Sequence, residues 1–169
     1  YLQMVAEKFQ ERYPRHPIIS QSSRMDDVAR TSFLAEFHDT ERPVLGFAVM
    51  GGVFGEGIDL KGARLIGAIV VGVGLPQIGM ERNTIRDYFE PSGQGFEFAY
   101  QYPGMNRVLQ TAGRVIRSEL DRGIVCLIDH RFNETGYRNL FPPHWQINQA
   151  RHQNHLGQLL TEFWRRAEI

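Results

Sequence analysis

A chain of 169 residues, 42% hydrophobic and 22% charged, has the length of one domain with enough apolar side chains to bury a core. Its 19 Lys and Arg balance 19 Asp and Glu, so no global positive field marks a nucleic-acid binder, and any anion binding must come from local clusters. No apolar run reaches about 18 residues and no signal peptide is visible, which excludes a helical membrane span and points to the cytoplasm. Leu2, Val5, Ala6 and Phe9 recur at helical spacing and predict a first helix that Pro14 ends. The chain opens on Tyr1, already inside that pattern, as a fragment of something longer would. A short strand follows at 17–20, then a helix over 25–37, with Ser22 or Ser23 near its start and Asp26 and Asp27 in the first turn, where negative charge suits the helix dipole. Continuous apolar runs at 43–50 and 65–73 fit strands buried on both faces, as in a parallel sheet. Residues 77–89 read as helix and 91–95 as a turn. A long amphipathic helix begins near Pro103 and runs through Arg117, and Asp121-Arg122-Gly123 turns it into a strand at 123–128. Cys126 lies in that strand; alone it allows no internal disulfide or zinc site, and it reads as a small buried hydrophobe. A short helix at 133–140 is broken by Pro142-Pro143, and the last helix carries Leu156, Leu159, Leu160, Phe163 and Trp164 as a stripe for docking on the core. Strands alternating with helices indicate an α/β domain with a mostly parallel sheet.

Two segments could carry chemistry. In the helix over 103–117, Arg107, Gln110, Arg114 and Arg117 fall within one arc of about 80° at 100° per residue, spread over roughly 15 Å. Val108, Leu109, Ala112, Val115 and Ile116 form the opposite, apolar arc. Solvated helix faces are common, but Lys and Glu usually dominate them, whereas this one uses only Arg and Gln; guanidinium suits bidentate capture of phosphate. The second segment, Gly51-Gly-Val-Phe-Gly-Glu-Gly-Ile-Asp-Leu60, comes directly after a strand. Its glycines allow close backbone approach to an anion, and Glu56 and Asp59 can reach a polar ligand, a metal-bound water or a partner domain, although tight turns alone explain such a run about as often. No Gly-Lys-Ser/Thr comes after it, so it is not a Walker A loop, and Pro76 interrupts any dinucleotide fingerprint at 72–79. Both segments could lie at the carboxyl edge of the sheet, where open parallel sheets bind ligands. Weaker signals are few. His152 and His155, at i, i+3 near His144, have no adjacent carboxylate or cysteine pattern that would make a metal site. Phe96, Phe98, Tyr100 and Tyr102 could stack on the bases of a single strand, or simply pack in the core.

The glycine segment resembles helicase motif V of the XPD/DinG group of superfamily 2, close to G-x-x-x-E-G-[IV]-D. Gln110-Thr-Ala-Gly-Arg-Val-Ile-Arg117 resembles motif VI, Q-x-x-G-R-x-I-R, with the D-x-G turn, the strand and the D-x-R-F of that group at Asp129-His-Arg-Phe132 and a Pro-Pro-x-Trp at 142–145. The motifs stand in the right order about 50 residues apart. The resemblance implies a RecA-like three-layer α/β/α domain over 1–169: the second motor domain of an ATP-dependent, DinG-like DNA helicase of 5′-to-3′ polarity, cytoplasmic and monomeric. It implies that Arg114 and Arg117 act as arginine fingers on the ATP phosphates, with Gln110 coupling nucleotide to the interdomain cleft. It also implies that Glu56, Gly57, Asp59 and Gly113 lie at the nucleotide, and that Gly52, Phe54, Gly55 and Arg107 form part of the single-stranded DNA track. ATP and Mg2+ would be shared with a first motor domain of the same polypeptide. Walker A, Walker B and the cysteines of any iron–sulfur cluster belong to that other domain, so the isolated chain is predicted to be inactive. Two rivals stay open: a RecA-like module that only binds single-stranded nucleic acid or a partner protein, and a nucleotide-sugar or dinucleotide enzyme using the glycine loop.

Overall fold

The computed structural model of the chain describes residues 1–38, 41–52, 54, 60, 62–117 and 121–167. Helix α1 (Leu2–Arg12) leads into β1 (Ile18–Ser20), and α2 (Asp27–Ala35) crosses over to β2 (Leu45–Phe47). The cap of α2 is Asp26 rather than either serine: its carboxylate accepts from Ala29 N–H at 2.8 Å, satisfying one of the donors a helix start leaves open. β1 and β2 pair in parallel, Ile18 opposite Leu45 and Ser20 opposite Phe47. The core of this half is largely aromatic. Phe33 and Phe54 are buried and pack ring on ring at 4.3 Å, while Phe9 meets Phe47 edge-on at 6.2 Å.

The second half is built on β3 (Gly67–Val71) and β4 (Ile124–Ile128), also parallel, with Gly67 opposite Ile124 and Val71 opposite Ile128. Between them run α3 (Met80–Phe89), a π-helical turn (Glu97–Gln101) and α4 (Tyr102–Ala112). The aromatic residues before α4 are therefore helical, and Phe98 stacks on Phe89 at 4.0 Å, a packing role rather than a base-stacking one. Val70, Val73, Met105, Val108, Phe132 and Tyr137 form one core, which joins the strand pair to α4 and to the segment that ends in α5 (Thr135–Arg138). Two parallel pairs with helical crossovers confirm the α/β class; among the described residues the pairs do not hydrogen-bond into one continuous sheet.

Three expectations need correction. Strands β3 and β4 are not covered on both faces: Ile69, Val71 and Ile128 are 62%, 48% and 55% exposed. A continuous apolar run reports how apolar a strand is, not whether another layer covers its second face. The C-terminal helix α6 (Gln153–Ala167) keeps Leu156, Leu159 and Leu160 only half-buried, with Phe163 exposed, so its stripe is not sealed into a core. Most important, α4 stops at Ala112. Gly113 and the two residues after it form a tight turn, with Arg114 N–H donating to Thr111 O and Val115 N–H to Ala112 O, both at 3.1 Å. The turn buries Val115, while Ile116, expected on the apolar arc, is exposed. A Cβ on Gly123 would stand 2.3 Å from Val115 Cγ1, so Val115 fills the space that glycine leaves. Gly113, a poor helix former, stands where the helix stops.

Candidate functional site

Helix α4 runs antiparallel to β3 and β4, from their exits to their entrances. At the exits its first turn rests on the chain that leaves β3. A Cβ on Gly104 would lie 2.6 Å from Val73 O, and one on Gly74 would lie 2.8 Å from Gly104 O. Glycine is required on both sides, and Gly74 also has φ +65°, a conformation L side chains avoid. One turn on, Arg107 Nη1 donates to Gly74 O at 3.3 Å. The stem of the same side chain lies against Gly51, where a Cβ would come within 3.0 Å of Arg107 Cδ and Nε. The start of the glycine segment and the start of the arginine helix are thus in contact, and Gly51 has φ +75°.

At the other end of α4, Val115 sits against Gly123, which in turn packs on Ile66 O; both glycine and carbonyl lie where β4 and β3 begin. Gln110 is exposed on the last turn, Gly113 is exposed at its cap, Arg114 is half-buried in the turn and Arg117 half-buried beyond it. Arg117 N–H donates to Asp121 Oδ2 at 2.8 Å, which closes the stretch beyond the helix. Of the arginine segment, which could have lain at the carboxyl edge as a whole, the start does so: Arg107 lies by the strand exits, whereas Arg114 and Arg117 follow the end of the helix, near the strand entrances.

Of the glycine segment, Gly51 and Gly52 flank the exit of β2, and Phe54 is buried against Phe33, so Phe54 is a core ring here and does not face a nucleic acid. Gly55, Glu56, Gly57 and Asp59 lie outside the described residues. Two further groups at the strand exits leave little trace in the sequence. Gln21, next after β1, accepts from Val49 N–H through Oε1 at 2.9 Å; a polar residue just past a short strand is its only sequence signal. At the exit of β4, Asp129 grips Arg131, accepting from its Nε at 2.9 Å and its Nη2 at 2.8 Å and from its backbone N–H at 3.0 Å. These bonds hold the Asp129 carboxyl down at about 2, and the carboxylate raises Arg131, as a bidentate pair does. Here the D-x-R spelling of the motif was legible, but its geometry was not.

The imidazoles near α6 act locally: His152 Nδ1 accepts from His155 N–H at 3.2 Å, a side-chain cap on the helix start. Among the described residues no group of three or more His, Cys, Asp or Glu could hold a metal ion. Burial pushes the Cys126 thiol up, away from nucleophilic use. A shallow concavity of about 940 Å³ along α6, lined by Gln153, Leu160 and Arg165 among others, holds none of the residues at either end of α4. No helix of the described residues is long and apolar enough to cross a membrane.

Comparison with known proteins places the chain in a family. The chain matches the helicase C-terminal domain family across residues 1–148. Over 122 residues it is 30% identical to the XPD helicase subunit of the general transcription and DNA repair factor IIH from Dictyostelium discoideum, an alignment that takes in 69% of this chain but 15% of that protein. With this match over residues 1–148, the chain belongs to the helicase C-terminal domains of the XPD/DinG family and is a RecA-like domain.

Proposed function

We propose that this domain is the second motor domain of an ATP-dependent, DinG-like DNA helicase of 5′-to-3′ polarity, and that it divides its work between the two ends of α4. At the strand exits, Gly52 and Arg107 contribute to the single-stranded DNA track, together with Gly55 of the same segment, which lies outside the described residues; Arg107 donates to Gly74 O through one nitrogen and has further donors for a phosphate. At the entrances, Arg114 and Arg117 reach across to the phosphates of ATP bound on a first motor domain of the same polypeptide, with Gln110 and Gly113 beside them. Glu56, Gly57 and Asp59 report nucleotide state to the strand. ATP is the substrate. A Mg2+ ion travelling with it would be shared with the first motor domain of the same polypeptide.

The observation that carries this reading is the helix itself. Met105 and Val108 are almost fully buried in the core, so α4 is seated firmly on β3 and β4, with Arg107 on its body and Arg114 just past its end. The guanidiniums would neutralise charge that develops on the transferred phosphoryl group.

The test uses the full-length parent, comparing strand-stimulated ATP turnover of wild type with Arg114→Ala and Arg117→Ala. Loss of an arginine finger typically costs about 10³-fold or more in turnover, and we expect that loss with strand affinity largely kept. Unchanged turnover would leave a module that only binds nucleic acid or a partner.

A further inference from the structure

We propose that Gln21 is a positioning residue for the glycine segment, completing the β1–β2 ladder with its side chain so that the chain leaves β2 in one fixed direction. The parallel ladder alternates regularly. Leu45 N–H donates to Pro17 O at 3.1 Å and Gln21 N–H to Phe47 O at 2.8 Å, with Ser20 opposite Phe47. The next rung of a parallel pair would run from Val49 N–H to the backbone carbonyl of Gln21. The side-chain Oε1 of Gln21 takes that donor instead, at 2.9 Å. The two backbones can then diverge while the last donor stays satisfied. The same amide lies over the glycine pair: a Cβ on Gly52 would come within 3.4 Å of Gln21 Nε2, and within 3.0 Å of Val49 O. On the neighbouring residue, Gly51, an added Cβ would come within 3.0 Å of the Arg107 side chain. Gly51 and Gly52 are therefore flanked by Gln21 from β1 and Arg107 from α4, immediately before the chain enters 55–59.

This inference rests on the proposed motor function and adds a coupling element to it. Arg107 and Gln21 hold the start of motif V between the second strand pair and the first. Strand binding at Arg107 is thereby delivered to the glycine segment rather than dissipated in a loose connection. Acting through Gly51 and Gly52 as a positioning residue, Gln21 is expected to affect turnover more than the affinity for ATP.

Two variants of the full-length parent separate the outcomes. Gln21→Met keeps size but removes the acceptor; Gln21→Glu restores an acceptor for Val49 N–H. Amide exchange of peptides spanning 47–52 is expected to quicken about tenfold in Gln21→Met, as loss of one hydrogen bond allows, and to return towards wild type in Gln21→Glu. Turnover at saturating strand is expected to fall about tenfold in Gln21→Met, with the KM for ATP within about twofold and recovery in Gln21→Glu. Unaltered exchange in Gln21→Met, unaltered turnover, or a Gln21→Glu variant as impaired as Gln21→Met would each overturn the proposal. A wild-type parent with no strand-stimulated turnover would overturn the motor reading and the coupling role with it; faster exchange in Gln21→Met would then show that the side-chain rung itself is real.

Discussion

The two ends of helix α4 are held in different ways. At the strand exits, backbone lies on backbone: Gly104 and Gly74 approach so closely that neither tolerates a Cβ. Arg107 then ties the helix to Gly74 O. At the strand entrances the helix unwinds at Gly113, and the residues past that turn are held by Val115 against Gly123 and by Asp121 on the Arg117 N–H. The first end is a rigid bearing. The second is a short turn, pinned by buried Val115, that carries Arg114 and Arg117.

The two ends should differ most sharply in kinetics. Arg114→Ala is expected to cost about 10³-fold in strand-stimulated turnover, whereas Arg107→Ala is expected to weaken strand binding only about tenfold and to reduce the salt slope by about one. Titrations at two salt concentrations beside ATPase assays of the parent read both. Equal losses of turnover from the two variants would show that α4 does not divide strand from nucleotide.

Stability sharpens the same contrast. Gly104→Ala gains helix propensity, but its Cβ meets Val73 O at 2.6 Å, so we expect a net loss of about 1–3 kcal/mol in denaturant unfolding. At the other end an alanine at exposed Gly113, with Leu109 O at 3.3 Å, is expected to change stability by less than about 0.5 kcal/mol. A Gly104→Ala protein as stable as wild type would remove the bearing.

The smallest effect lies at the exit of β4. Asp129 is depressed in the folded chain to about 2 from its usual 3.8. A depressed carboxylate contributes stability above its unfolded value, and that contribution is lost as pH falls through the folded one. We expect about 1–2 kcal/mol, reduced by the water that reaches the partly exposed Arg131, to be present above about pH 4 and to disappear towards pH 2. Comparing pH-dependent unfolding of wild type and Asp129→Asn checks it; parallel curves between pH 2 and 5 would place the pair outside the stability balance.

Much of this was written locally. The first helix ends before Pro14, β1 follows Pro17, and the apolar runs at 43–50 and 65–73 contain strands, because propensity, proline and short-range patterning act over a few residues. The motif spellings likewise needed no structure: glycines before an acidic pair and a Gln-to-Arg octet are strings, and strings are what a sequence displays. Other features depended on residues far apart. Gln21 and Val49 meet because two short strands pair in one register, and no local pattern sets that register. Gly104 looks like a flaw in a helix until it meets the carbonyl of Val73.

The composition and order of the chain determined the α/β class, the family and the identity of the arginines. Only the tertiary structure decided where those arginines stand. A helical wheel placed Arg107, Gln110, Arg114 and Arg117 on one face by assuming that the helix continues. The fold ended it at Ala112 and buried Val115 beside a glycine eight positions later. That contact exists only once β3 and β4 have paired.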